Sequence, residues 1–227
     1  IIERFTWWFH ILGILAFLNY VLISKHLHIF FAFPSTYYAN IEKLGKFDNL
    51  KSVTNEVKLM LDPNADPFAV PQNQDQKPVS LFGARDATDL NWVQLLNAYS
   101  CTECGRCSSV CPANQTGKEL SPRKIMMDTR DRIEEIGRLK ENNTNYLLGN
   151  YISKEELWAC TTCNACTDAC PINLDPLSII VDLRRYLVME ESAAPTELNN
   201  MFSNVENNGA PWQFPAADRL NWIEENK

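Results

Sequence analysis

Apolar and polar positions divide the chain into stretches that obey different periodicities. From Phe5 to Ile23 there is no Asp, Glu, Lys or Arg. At about 1.5 Å per residue, such a run reaches roughly 28 Å, close to the hydrocarbon thickness of a bilayer. The pattern predicts a transmembrane helix that continues through Phe33 and stops at Pro34. Trp7 and Trp8 near one end, and Lys25, Tyr37 and Tyr38 beyond the other, are residues that anchor a helix at membrane interfaces. A buried core helix is the competing reading, because Thr6, His10 and Asn19 dilute the apolar run. Lys43, Lys46 and Lys51 follow the segment while only Arg4 precedes it, which favours a cytoplasmic location for what comes after.

Further along, the period changes. Residues 51 to 61 suit a short helix, and DPNADPFAVPQNQDQKP then concentrates proline, Asn, Asp and Gln as a semi-extended linker with a domain boundary near residue 80. DLNWVQLLNAY reads as a helix. Ser121 and Pro122 suit an N-cap and first helical position ahead of Ile125, Met126, Ile133, Ile136 and Leu139, which repeat at three and four residues. ENNTNYLLGN breaks that pattern. Ser153 and Glu156 fit a capping box, and Asp175 with Pro176 opens a last helix through PLSIIVDLRRYLVME. From Ala193 the tail has few apolar residues and no clear period, as expected of a segment lying against the domain or a partner. The expected fold is mainly α, divided into 1–34 (membrane helix), 35–80 (juxtamembrane segment and linker), 81–190 (helical domain) and 191–227 (tail).

Composition narrows the function classes. With 227 residues and 45% hydrophobic content the chain is too apolar to be disordered. A net charge of -7 without a Lys/Arg cluster excludes nucleic acid as an expected partner, since phosphate binding needs a basic stripe.

The cysteines add chemistry. CTECGRCSSVCP holds Cys101, Cys104, Cys107 and Cys111, and CTTCNACTDACP holds Cys160, Cys163, Cys166 and Cys170, so each cysteine recurs at an offset of 59 and all 8 are used. Both runs obey C-x2-C-x2-C-x3-C-P, the bacterial iron-sulfur run, in which the fourth cysteine serves the other cluster. The expected ligand sets are therefore Cys101, Cys104, Cys107 and Cys170 for one 4Fe-4S cluster, and Cys160, Cys163, Cys166 and Cys111 for the other. Zinc prefers two separated C-x2-C pairs, and disulfides suit small secreted domains. Arg106, Lys118 and Arg123 near the runs read as solvated surface.

On a continuous helix His10 and His28 are five turns apart, on one face and about 27 Å from each other, while His26 lies about 160° around. Neutral imidazole is an axial ligand for haem iron, so His10 and His28 are candidates for two haems at opposite membrane faces. The competing reading has His10 bonding a neighbouring helix and His28 at the headgroups.

On the cysteine runs, residues 85 to 190 resemble the dicluster helical ferredoxin domain shared by the C-type component of heterodisulfide reductase, the iron-sulfur proteins of glycolate oxidase and lactate utilisation systems, and the second half of succinate dehydrogenase iron-sulfur proteins. HILGILAFLNYVLISKHLHIF resembles the last helix of the nitrate reductase gamma-type haem b membrane domain. That resemblance implies one ligand from each of His10 and His28 to two haems b, completed by helices outside this chain. The combination is similar to the fused membrane iron-sulfur protein of Bacteroidetes-type bacteria. It implies residence in the bacterial inner membrane with the iron-sulfur domain on the cytoplasmic side.

No CCG-type motif, G-x-G-x-x-G or plant-type cluster run occurs in the chain. The expected function is an electron-transfer component without its own substrate site, linking a soluble dehydrogenase, flavoprotein or CCG-domain partner to membrane quinone. The alternative is a membrane-anchored zinc-binding or structural scaffold.

Overall fold

The computed structural model describes residues 1–42, 45–62, 81–139 and 144–225. Lys43 and the proline-rich linker from Pro63 lie outside the described residues. The described residues are mainly α-helical and contain no β-sheet. They fall into two compact units, Ile1–Tyr186 and Leu187–Lys227.

The first unit begins with α1, Ile2–Val21, and α2, His28–Tyr37, joined through a tight turn at Lys25–Leu27. The expected single helix through Phe33 is therefore not formed. Tyr20 and Val21 give their carbonyls to the N–H groups of Ile23 and Ser24, tightening the last turn of α1. Ser24 then turns extended (φ -117°, ψ 167°) and its hydroxyl accepts from His26 N–H at 3.2 Å, capping a new start. Among the described residues no single helix is long and apolar enough to cross a membrane. Ile2–Val21 and Lys25–Tyr37 meet that requirement only as a pair, bent by 89°. Pro34 does not stop the helix either, since α2 runs on to Tyr37 with Pro34 inside it. A proline forfeits one backbone bond, and here the following turn is held by Thr36 Oγ1 donating to Ala32 O at 2.8 Å and Tyr38 N to Pro34 O at 3.0 Å.

The expected helix at 51–61 is present as α3, Lys51–Leu61. Next comes α4, Trp92–Ser100, started by a reciprocal cap between Asn91 and Gln94. Two short helices come next, α5 (Arg106–Ser109) inside the first cysteine run and α6 (Pro112–Gln115) directly after it. The 18-residue α7, Pro122–Leu139, follows, and Ser121 Oγ accepts from Lys124 N–H as its cap. Then come α8 (Lys154–Trp158), with the expected Ser153–Glu156 capping box, and α9 (Ala165–Asp168). Asp175 accepts from Ser178 N–H at the start of α10, Pro176–Met189.

α7 packs on α4 and α5, and α2 packs on α4. Ile125, Met126, Leu157, Leu177, Ile179 and Leu183 are fully buried and form the centre of this unit. Full burial of each such side chain is worth about 1.5–3 kcal/mol. The buried stripe of α7 continues from Ile125 and Met126 through Thr129 and Arg132, whereas Ile133 and Ile136 are half-buried and Leu139 is exposed. The apolar period thus points a little off the true core face. Arg132 reaches the interior because its guanidinium meets Asp86 at 2.5 Å and Glu135 at 2.6 Å. Gly83, at φ +94°, brings the chain against α10, where a Cβ would collide with the backbone of Asp182 and Tyr186.

The second unit holds a helix that the tail's composition does not announce, α11, Thr196–Asn208, closed by Gly209 in the left-handed region. It ends with α12, Asn221–Glu225.

Candidate iron-sulfur site

The two cysteine runs fold alike. In the first, Glu103 (φ 58°) and Gly105 (φ 80°) are left-handed; in the second, Thr162 (φ 56°) and Asn164 (φ 61°) stand at the equivalent positions. Left-handed backbone is costly for a β-branched residue such as Thr162, and a local constraint of this kind marks functional loops. Each loop then enters a four-residue helix, α5 or α9, whose turns are closed by the same bonds. Ser108 N donates to Gly105 O and Cys111 N to Ser108 O, matched by Thr167 N to Asn164 O and Cys170 N to Thr167 O. α5 and α9 pack against one another, so the repeat in sequence becomes a pair of facing loops.

Between them lies a predominantly apolar cavity of about 60 Å³ lined by Cys101, Cys104, Cys107 and Cys170, with Cys166 also on its wall. Cys111, Cys160 and Cys163 do not border it. Burial pushes the Cys101 thiol up, and the nearby Cys107 and Cys170 thiols push it further. Cys107 is likewise raised by burial, with Cys104 and Cys170 acting in the same direction. For Cys160 burial again leads, and its cysteine neighbours are Cys111 and Cys163. Burial takes Cys166 up to about 12, with Cys160 as its cysteine neighbour. The fourth cysteine of each run thus neighbours thiols of the opposite run. Thiols held this high must release their protons when they take iron.

Among the described residues, no three His, Cys, Asp or Glu side chains converge closely enough to hold a single metal ion. Four thiolates around zinc sit at about 2.3 Å from one centre. Here Cys101, Cys104, Cys107, Cys166 and Cys170 border one predominantly apolar hollow instead, a donor set whose chemistry fits an iron-sulfur group.

Charged residues unnoticed in the sequence hold these loops. Arg184 on α10 donates from Nε to Leu157 O at 3.0 Å and from Nη2 to Cys160 O at 2.6 Å, and its guanidinium sits 4.9 Å from the Trp158 ring centre. Arg130 on α7 donates to Glu103 Oε1 at 2.8 Å, and Lys25 reaches Glu103 Oε2 at 3.4 Å. A side chain reaching backbone carbonyls 24 and 27 positions away leaves no periodic trace in sequence. Arg106 and Arg123, read as solvated, are exposed and also line the cysteine cavity.

The two histidine candidates are separated by the break. His10 is exposed on α1, while His28 opens α2 with Nδ1 2.6 Å from Lys25 O. Their common helical face does not exist, because the axis turns by 89° between them. The His26 ring lies 6.4 Å from that of His28.

Residues 100–174 match the family described as 4Fe-4S dicluster domain. The chain is an iron-sulfur protein of the ferredoxin type. Over 99% of its length it is 30% identical to "Probable iron-sulfur-binding oxidoreductase FadF" of Bacillus subtilis, covering 34% of that protein. It is 29% identical to the "EtfAB:quinone oxidoreductase" of Syntrophomonas wolfei, over 98% of this chain and 31% of that one. The C-type component of the ferredoxin/F(420)H(2)-dependent CoB-CoM heterodisulfide reductase of Methanosarcina acetivorans is 34% identical over 44% of this chain and 52% of its own. The likeness to the heterodisulfide reductase component is thus supported, and the chain spans about a third of the length of the first two relatives.

Proposed function

We propose that this chain is the membrane-bound wire of a larger redox protein. In this reading it takes electrons from a soluble flavoprotein or CCG-domain partner and passes them through two 4Fe-4S clusters to quinone. Cys101, Cys104, Cys107 and Cys170 hold one cluster, and Cys160, Cys163, Cys166 and Cys111 hold the other. The observation that carries the proposal is the pair of matching loops whose fourth cysteines neighbour the opposite run. The names of the relatives, one an oxidoreductase between EtfAB and quinone, support the two ends of the wire. When bound, the clusters supply one-electron transfer; the protein's part is to hold them, exclude water with an apolar surround and set the local charge.

Membrane placement, with the iron-sulfur domain on the cytoplasmic side, is part of the proposal. It is supported by α1, which buries only Val21 and exposes Phe5, Phe9, Leu12, Phe17 and Leu18 by half or more. So large an apolar surface needs a covering of lipid or other helices.

Haem b is the finer element. With the proton on Nδ1 facing the Lys25 carbonyl, His28 keeps its Nε2 lone pair for iron. His10 is a separate candidate on α1, and each would be completed by a ligand from outside this chain.

The test uses the complete protein, purified anaerobically and reduced. Its bleached iron-sulfur absorption should recover when menadione is added, and pyridine haemochrome analysis should find haem b that falls in His10→Ala and in His28→Ala but not in His26→Ala. A colourless, zinc-containing protein would contradict the wire. Iron-sulfur absorption without haem would retain the wire and remove the histidines from it.

A further inference from the structure

Away from the cysteine cavity, a hollow of about 500 Å³ lies where the break between α1 and α2 faces α7. That volume is in the range of small-molecule sites. Leu22, Ile23 and Leu27 give it an apolar wall, Tyr99 at the end of α4 gives an aromatic one, Lys25 and Arg130 bring N–H donors, and His28, the haem candidate, stands at its border. We propose that this hollow seats the head group of a quinone, its ring against Tyr99 and the aliphatic wall and a carbonyl oxygen accepting from Arg130. The proposal deepens the electron-transfer reading above and rests on it.

Three observations favour a quinone over other ligands. First, the charges nearly balance: Lys25, Arg130 and Arg138 share the hollow with Asp131 and Glu134, and Arg138 is already paired with Glu134 at 2.8 Å. An anion such as a phosphate would meet carboxylates, whereas a neutral acceptor of hydrogen bonds would not suffer. Second, the hollow touches the first cysteine loop. Tyr99 precedes Cys101 by two residues, a span of at most about 7 Å, and Arg130 donates to Glu103 within that loop at 2.8 Å. Third, the wall made by Leu22 and Ile23 continues into the exposed apolar surface of α1. A long hydrocarbon tail could follow that surface without entering water.

The step itself balances simply. Two electrons, which a cluster held by the first run would supply one at a time, and two protons from water through the open side, where Asp131 is exposed, would reduce the ring. Two O–H bonds form at the carbonyl oxygens, the quinone leaves as quinol, and the clusters end oxidised.

The experiment uses the complete reduced protein with menadione as acceptor, and ferricyanide as an acceptor that needs no built site. Leu27→Trp, which narrows the hollow, should raise the KM for menadione about tenfold. Arg130→Gln should lower kcat/KM about tenfold, the loss expected for a hydrogen bond from a charged donor. Ferricyanide rates and the paramagnetic resonance of both clusters should be unchanged in Leu27→Trp, whereas Arg130→Gln, which also releases Glu103 of the first loop, is read as its menadione rate relative to its own ferricyanide rate. As a readout free of substitutions, an azidoquinone photolabel should attach to the wild-type peptides carrying Tyr99 or Arg130. Unchanged menadione kinetics in both variants, or label found only elsewhere, would overturn the site while leaving the wire. Wild-type protein that reduces ferricyanide but never menadione would overturn the quinone reading as a whole.

Discussion

Asp86 and Arg132 form the most consequential pair outside the cysteine loops. Asp86 accepts from Arg132 Nε at 2.7 Å, Ala87 N at 2.8 Å and Leu147 N at 3.0 Å, and it is only 8% exposed. It therefore ties the entry loop, α7 and the segment before α8 at a single carboxylate. Burial pushes this carboxyl up, but the Arg132 guanidinium and the two backbone N–H groups outweigh it and hold it below the usual carboxylate range. A carboxylate depressed in the folded state contributes stability that is complete above its unfolded value, about 3.9, and is lost as pH falls through the lower folded value. Asp86→Asn should then cost about 3 kcal/mol near neutral pH, because it leaves a buried guanidinium short of its partner. Denaturant titrations between neutral pH and pH 3 check both points: the wild type should lose stability on acidification, and the variant should show a flatter acid limb. Neither residue stands out in the sequence, since a buried Arg on the apolar side of α7 reads as a departure from the period until its partner, 46 positions earlier, is seen.

At the scale of elements, local capping chemistry was legible because it acts within four residues. Ser121–Pro122, Ser153–Glu156 and Asp175–Pro176 begin helices where the side chains say they should. The break after Val21 was not legible, because continuous apolarity is equally compatible with a straight or a bent span. Beyond the local Ser24 cap, what accompanies the bend is tertiary: Lys25 meets Glu103, Ser35 Oγ donates to buried Asn97 at 3.0 Å, and Phe31 packs on Tyr99. α11 was missed for a different reason: Leu198, Met201, Phe202 and Val205 do stand at helical spacing within Thr196–Asn208, but the Asn-rich surround makes that stripe short and easy to overlook. If α1 is covered by lipid, the full-length protein should stay with membranes through high-salt and carbonate washing, because hydrophobic insertion is not screened. Release into the soluble fraction by either wash would mean that another protein covers α1 instead.

For the whole molecule, the cysteine pattern carried the most information of any feature. A spacing that repeats without change encodes two loops of the same backbone, and the loops share left-handed positions at Glu103 and Thr162 as well as at Gly105 and Asn164. What spacing could not carry is the support around those loops, Arg184 beneath the second and Arg130 with Lys25 beside the first. Nor could it reveal that Cys166 shares the cavity of the first run. The central claim, two 4Fe-4S clusters each completed by the other run, is tested most directly by paramagnetic resonance of the reduced full-length protein in three variants. Cys107→Ser and Cys170→Ser should alter the same cluster signal, and Cys166→Ser should alter the other, with about eight irons per chain in the unaltered protein. If Cys170→Ser and Cys166→Ser instead altered one and the same signal while Cys107→Ser altered another, each run would hold its own cluster and the crossing would be contradicted.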